Sequence, residues 1–382
     1  MTYIYFDHAA TTPVHPEVVE AILPHFTQNF GNASSTHSAG REARAVLNQS
    51  RDTLASFIGC APSQLLFTSG GTESDNLALF GAAAARQSLG KHIITSQAEH
   101  HAVLHACEHL ESQGFEVTYV PVDSTGRVRV SDIEAAIRPD TILISIMYGN
   151  NEVGTIQPIQ EIGTIARSRG IAFHVDAVQA LGMIPMDLSR MPVDFMSFSA
   201  HKINGPKGIG ALYIAKQAKM EPMLYGGNQE RKRRPGTENV ASAAGFAKAV
   251  QILSRDRYEK QQNLEKLRNA MVAKLHQLLG PEQAVVNGHP DERLPHILNI
   301  SFPGVSTETM LMNLDLEGIA AASGSACTSG SLEVSHVLKA MQLPDALTTS
   351  AIRFSFGIGN TLEHIEEAAA IIATIVGRVR NI

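Results

Sequence analysis

Asp176 in the stretch FHVDAVQA and Lys202 in SFSAHKINGPKGIG each stand just beyond a short apolar run. Taken singly, the aspartate reads as a helix cap and the lysine as a solvated side chain leaving a strand. Together they match two demands of a pyridoxal cofactor. Such a cofactor needs a lysine for its Schiff base and an acid that keeps the pyridine nitrogen protonated, so that the ring accepts carbanion charge. A third demand is a phosphate cradle, and FTSGGTESDNLAL offers one. A strand ends at Thr68, Ser69-Gly70-Gly71 makes a tight turn, and Thr72 opens a helix whose free N–H groups and dipole favour an anion.

Other residues carry chemistry less decisively. Cys327 sits in ASGSACTSGS, among Gly, Ser, Ala and Thr, whereas a structural cysteine is usually buried among apolar neighbours. It reads as a free surface thiol or as a nucleophile on a reaching tether. Arg353 interrupts the apolar run SAIRFSFG, and its planar fork suits either a substrate carboxylate or a structural salt bridge. Asn150 and Asn151 follow a strand in MYGNNEVGTIQP. His101, His105 and His109 share a helical face with Cys107 nearby. That spacing suits zinc, but no second ligand cluster matches it, and no stable metal site is expected. The basic run Arg231 to Arg234 reads as a solvated turn edge.

The elements that must position these residues are legible between residues 64 and 215. Seven short β-branched runs, QLLFT, KHIITS, FEVTYVPV, TILISIMY, GIAFHVDAV, FMSFSA and GIGALYIA, alternate with helix-length segments. Near-continuous apolar strands separated by helices predict an α/β fold around a mostly parallel, seven-stranded sheet covered on both faces. Ligands gather at the carboxyl ends of such strands, where the polar residues cluster. Beyond residue 255 come a charged helix, strands near HILNISF and AIRFSFG, and a closing helix from about 361. The expected division is a large domain, 16–255, and a smaller α/β domain of 1–15 and 256–382 that carries the cysteine loop, about 322–332.

With 31 basic and 37 acidic residues the net charge is −6, which argues against direct nucleic-acid binding. Three cysteines without paired spacing point to a reducing compartment. No basic leader with a long apolar core opens the chain, and no apolar run is long enough to span a membrane, so a cytoplasmic protein with no membrane association is expected.

From end to end the chain carries YFDHAATTP, FGNASSTHSAGREAR, FTSGGTESDN, AEHHAV, NNEVGTIQP, HVDAVQA, SFSAHKINGPKGIG, GGNQE, RPGTENV, SGSACTS and IRFSFG. In this order they resemble the cysteine desulfurases, specifically the NifS/IscS-like group of the class-V aminotransferase family. The resemblance implies the aminotransferase-like fold (fold type I) of pyridoxal 5′-phosphate enzymes, a homodimer, and L-cysteine as substrate. It assigns Lys202 as the lysine that joins the cofactor, Asp176 as partner of the ring nitrogen, Gln179 as a contact of the phenolic oxygen and His100 as a proton carrier over the ring. Gly71, Thr72, Ser199 and His201 would hold the phosphate, with Thr237 arriving from the other subunit. Asn151 and Arg353 would bind the substrate carboxylate. Cys327 would be the nucleophile that takes the sulfur as a persulfide and, transiently, a ligand to an iron–sulfur cluster on an acceptor. Expected acceptors are an iron–sulfur scaffold or a tRNA-thiolation enzyme. A selenocysteine lyase, or another pyridoxal-phosphate enzyme of this fold, is the alternative. Two departures from the group stand out: Gly71 replaces a common Ala, and Asn228 a common Gly.

Overall fold

All seven expected runs are strands in the computed structural model, which describes residues 3–324 and 334–380. The strands among those residues are β1 (Ile4–Tyr5), β2 (Leu65–Thr68), β3 (His92–Ser96), β4 (Glu116–Val120), β5 (Thr141–Ser145), β6 (Ala172–Asp176), β7 (Phe195–Ser199), β8 (Gly210–Ile214), β9 (Val285–Asn287), β10 (Ile297–Ser301), β11 (Ile319–Ala320) and β12 (Ala351–Ser355). β2 to β8 form one sheet in the order β2-β8-β7-β6-β5-β3-β4. Its neighbours pair in parallel, except that β8 runs antiparallel to both β2 and β7. β6 and β7 are buried along their whole length, because helices cover both faces and leave no side for water. Successive residues feed opposite cores. Phe195 packs with Leu77 and Val103 on one side, while Met196 and Phe198 pack with Leu47 and Phe246 on the other.

The strand ends set the site. Thr68 at the end of β2 and Ser199 at the end of β7 both pair with Gly210, and Asp176 at the end of β6 pairs with Ser197. Three carboxyl ends therefore share one edge of the sheet, the place where ligands collect in such folds.

A second core surrounds the antiparallel sheet β12-β10-β9 and the parallel pair β1-β11, with Phe6, Met271, Ile300, Phe354 and Ile372 fully buried. The helix expected from the charged run starts earlier, at Val240, and continues to Leu279. Its opening VASAAGFAKAV is rich in alanine, the strongest helix former, and the Asn239 side chain caps it by accepting the Ser242 N–H at 3.0 Å. Val250 and Leu253 of this helix belong to the first core and Leu264 and Leu267 to the second. Among the described residues no helix is long and apolar enough to cross a membrane.

The run after β8 is held by a buried ion pair. Arg51 Nη1 and Nη2 donate to the two oxygens of Glu230 at 2.8 and 2.5 Å, and Glu230 also accepts the Phe67 N–H of β2 at 3.2 Å. Glu230, Arg231 and Lys232 take left-handed conformations (φ 46°, 59° and 65°), each costing about 1–2 kcal/mol for an L-residue. The bidentate pair offsets that strain and ties this segment to the strand that leads into the Gly70-Gly71 turn. Glu230→Ala, which strands the Arg51 charge, is expected to destabilise the protein by about 3–5 kcal/mol in urea unfolding. A loss below about 1 kcal/mol would show that the pair does not hold the segment.

Candidate active site

Lys202 follows β7 directly, in the short turn Ala200–Lys202. Its Nζ donates to the carbonyls of Ala9 at 2.6 Å and Ala10 at 2.8 Å. Burial, then the nearby Arg353 cation, lowers its pKa to about 8. Asp176 accepts the Val178 N–H at 2.9 Å, and burial, then neighbouring Asp75, pushes its carboxyl up to about 7. His174 and Lys202 pull it the other way without offsetting the burial, so this carboxyl suits a further cationic partner.

Lys202 and Asp176 line one cavity of about 280 Å³ together with Gly71, Thr72, His100, Asn151, Gln179, Ser199, His201 and Arg353. Ten of the residues expected to act are thus brought to one place. Thr237 is exposed and outside this lining. Cys327 lies outside the described residues.

Each position has a local cause. The helix Gly71–Arg86 begins with no side-chain cap at Gly70, so its first N–H groups remain open to the cavity. A Cβ at Gly71 would come 2.7 Å from Cγ2 of Val178, so the departure from Ala is matched by a bulky neighbour across the turn. His201 lies 3.1 Å through Nδ1 from the Thr11 hydroxyl. His100 is the N-cap of the helix His101–Ser112, its Nδ1 accepting the Ala102 N–H at 3.1 Å. Burial, then Lys202, lowers the His100 pKa to about 4. The ring is therefore neutral and carries its proton on Nε2.

Arg353, read from the sequence as a carboxylate binder or a salt bridge, has the bridge and keeps capacity beyond it. Its Nη2 donates to Asp7 at 2.7 Å and its Nη1 to the carbonyls of Asn151 at 3.0 Å and Gly324 at 3.2 Å, while Nε is buried with no hydrogen-bond partner among the described residues. The histidine face divides: His101 stacks on His105 at 5.0 Å, whereas His109 meets Phe80 edge-on. Among the described residues no group of three or more His, Cys, Asp or Glu side chains is placed to hold a metal ion. Arg234 of the basic run pairs with Glu73 at 2.7 Å.

Several site residues escaped the sequence reading. Asp75 lines the cavity, its Oδ1 without a hydrogen-bond partner among the described residues and 3.4 Å from Nε2 of His174. Its neighbour Glu73 shares the TESD stretch, so the acidic signal there is ambiguous. Asp7 and the Ala9 and Ala10 carbonyls come from the N-terminal segment. Glu152, 2 % exposed, accepts from the Ser335 hydroxyl.

The class-V aminotransferase family profile matches residues 4–367. A protein named putative cysteine desulfurase IscS 1 from Bacillus subtilis (strain 168) is 50% identical, covering 99% of this chain and 100% of that one. Cysteine desulfurase IscS of Methanosarcina thermophila is 48% identical over 99% and 93%. Among solved structures, a NifS-like protein is 37% identical with a TM-score of 0.92, covering 99% of this chain and 100% of that one. A second, from Rickettsia africae, is 31% identical with a TM-score of 0.87 and complete coverage of both. The chain belongs to the class-V aminotransferase family.

The residues present fit that family's cofactor, pyridoxal phosphate. The uncapped helix start with Ser199 and His201 suits its phosphate, Asp176 a protonated ring nitrogen, and Lys202 its aldehyde. With half of Lys202 neutral near pH 8, cofactor trapped covalently by borohydride should rise through a midpoint near pH 8 and level off about one unit above it. Only the neutral fraction of the amine attacks. Lys202→Ala should trap none. Trapping that rises only above about pH 10, as for a solvated lysine, would contradict the desolvated amine.

Proposed function

We infer that the chain is a pyridoxal-phosphate-dependent cysteine desulfurase, which turns L-cysteine into L-alanine and keeps the sulfur as a persulfide on Cys327. The observation that carries this reading is the single cavity that gathers Lys202, Asp176, His100, Asn151 and Arg353 in a chain whose full-length relatives bear that name.

Bound pyridoxal phosphate supplies an electron sink for charge at the substrate α-carbon. Lys202 takes the α-proton at Nζ, which its desolvation makes available as a base near neutral pH. Asp176 faces the ring nitrogen and holds the proton there. The N–H groups at Gly71 and Thr72, with Ser199 and His201, hold the phosphate, and Thr237 of a second copy joins them. Asn151 and Arg353 bind the substrate carboxylate. His100 exchanges the proton of the substrate thiol at Nε2, since Nδ1 is committed to Ala102.

The Cys327 thiolate attacks the substrate sulfur: the carbon–sulfur bond breaks and a sulfur–sulfur bond forms. L-cysteine and the Cys327 thiol become L-alanine and the persulfide, with no outside oxidant or reductant. The two cysteines among the described residues suit this step poorly. Burial raises Cys107 and pushes Cys60 up to about 12, which keeps both as thiols.

The same reading sends the sulfur to an acceptor for iron–sulfur cluster assembly or tRNA thiolation, and makes the working form a homodimer. Leu23, Phe26, Phe30 and Tyr225 are exposed apolar side chains, of the kind an interface covers.

Purified protein with pyridoxal phosphate and a thiol reductant is expected to release alanine from L-cysteine, and Cys327→Ala to stop it while keeping the visible cofactor band. His100→Ala should slow it by about 10²–10⁴-fold. A native chain that binds the cofactor yet yields no alanine would sink the desulfurase reading. Alanine undiminished in Cys327→Ala would remove the persulfide route and favour a lyase. In sedimentation, the loaded protein should carry two chains per particle; a fully active monomer would strip Thr237 of its role.

A further inference from the structure

His296, just before β10, belongs to none of the chemistry-bearing motifs, yet it is 4 % exposed and its Nε2 lies 3.2 Å from Oε1 of the cavity residue Gln179. Chemistry assigns every atom of this contact. Gln179 Nε2 sits 2.9 Å from the carbonyl oxygen of Ala9, and a carbonyl only accepts, so the amide nitrogen must be at that end. Oε1 then faces His296, where only a ring N–H satisfies it. Burial, then the Lys260 cation, lowers the His296 pKa to about 3, with His8, Lys202 and Arg353 adding to the effect. The ring is neutral: Nε2 carries the proton, and Nδ1 is buried with no hydrogen-bond partner among the described residues.

We propose that His296 is a positioning residue that locks the Gln179 amide so that its second N–H is presented to the cavity, where it meets the phenolic oxygen of the cofactor. This rests on the reading of the cavity as a pyridoxal-phosphate site. The lock also reaches the lysine, because the Ala9 carbonyl accepts from both Gln179 and Lys202. Turning the amide over would set its oxygen against the Ala9 carbonyl, so only one orientation satisfies both neighbours. Without the His296 donor, Oε1 is buried and unpaired, and the amide is held at its nitrogen end alone, so its plane can tilt and its second N–H is no longer aimed. A weaker N–H bond makes the phenolic oxygen more basic. That oxygen then holds more tightly the proton it shares with the lysine-linked nitrogen, and a higher pH is needed to remove it.

The test is a pH titration of the visible absorbance of the cofactor-loaded protein, native and as His296→Phe, His296→Gln and Gln179→Ala, with cofactor per chain measured for each. The midpoint should rise by about one pH unit, a tenfold change in proton affinity, in His296→Phe and Gln179→Ala. His296→Gln, which retains an N–H donor, should stay with the native chain. A midpoint that moves in Gln179→Ala but not in His296→Phe overturns the role of His296 alone. If neither moves, the reading of Gln179 falls as well, whereas a native chain that forms no visible band overturns the pyridoxal-phosphate reading of the cavity and the proposal with it. Should His296→Phe fail to fold, nitrogen-15 NMR of the native holoenzyme's histidines decides, with the His296 signal assigned by its loss in His296→Gln. The Nε2–H tautomer is expected, and an Nδ1–H tautomer or an imidazolium overturns the proposal.

Discussion

A desolvated lysine amine with no carboxylate hydrogen-bonded to it is the constraint around which this molecule is arranged. Lys202 Nζ is satisfied by two backbone carbonyls, those of Ala9 and Ala10. Carbonyls stabilise the ammonium less than a carboxylate does, so the amine stays titratable near neutral pH instead of being locked as a cation. That choice has a structural cost. Residues near the N-terminus must be brought to the end of β7, and the second core does this. Ile4 and Tyr5 pair with Ile319 and Ala320, the Ala9 N–H donates to the Ser355 hydroxyl at 2.8 Å, and Phe6 is buried against Phe354 and Phe356. The reactivity of one side chain thus depends on a core to which it does not belong.

The carboxylates obey the complementary logic. Asp75, Glu99 and Asp176 are all buried beneath or beside the cavity, and burial raises each of them. His174 shares their neighbourhood but is kept neutral by its own burial, hydrogen-bonding Ser145 at 2.8 Å and Ser197 at 3.0 Å. It orders the polar network without neutralising it. Glu99 is satisfied by the Met147 N–H and the Ser96 hydroxyl, whereas Asp75 and Asp176 retain acceptor capacity on the cavity side. A cationic ring nitrogen is the chemical complement of such a place, and the cost of burying acid without a cation is met in advance by the fold. This is the preorganised electrostatics on which catalysis in a dry site depends.

Much of this was legible in the sequence, for a physical reason. Strands buried on both faces read as continuous apolar runs, and the residues ending them, Thr68, Asp176 and Ser199, are conspicuous because polarity interrupts the run. Lys202 and the Gly70-Gly71 turn follow from those ends. The unread part is of two kinds. The Ala9 and Ala10 carbonyls act through backbone atoms, which leave no side-chain signature. Asp7, Asp75, Glu152 and His296 act through contacts that only the assembled fold creates; the three acids stand among polar or mixed neighbours where a surface role is the ordinary expectation, and His296, between Pro295 and Ile297, reads as an ordinary histidine at a strand start. The helix start at Val240 was missed for a third reason: alanine-rich sequence carries helix propensity but little amphipathic pattern, so the charged half drew the eye.

Arg353 shows how such contacts can join two tasks in one side chain. Its guanidinium is fixed by Asp7 and by the carbonyls of Asn151 and Gly324, and Nε has no hydrogen-bond partner among the described residues. A fork already oriented loses little freedom on binding a carboxylate, which favours Arg over Lys here. Yet Gly324 is also the last described residue before the stretch that bears Cys327. Ser335, on the far side of that stretch, is held by Glu152, the neighbour of Asn151. Asn151 and Arg353, the two residues proposed for the substrate's carboxylate, are therefore bonded, directly or through one neighbour, to Gly324 and Ser335, which flank that stretch. A displacement at Gly324 or Ser335 is thus carried to Arg353 and Asn151 through one connected group.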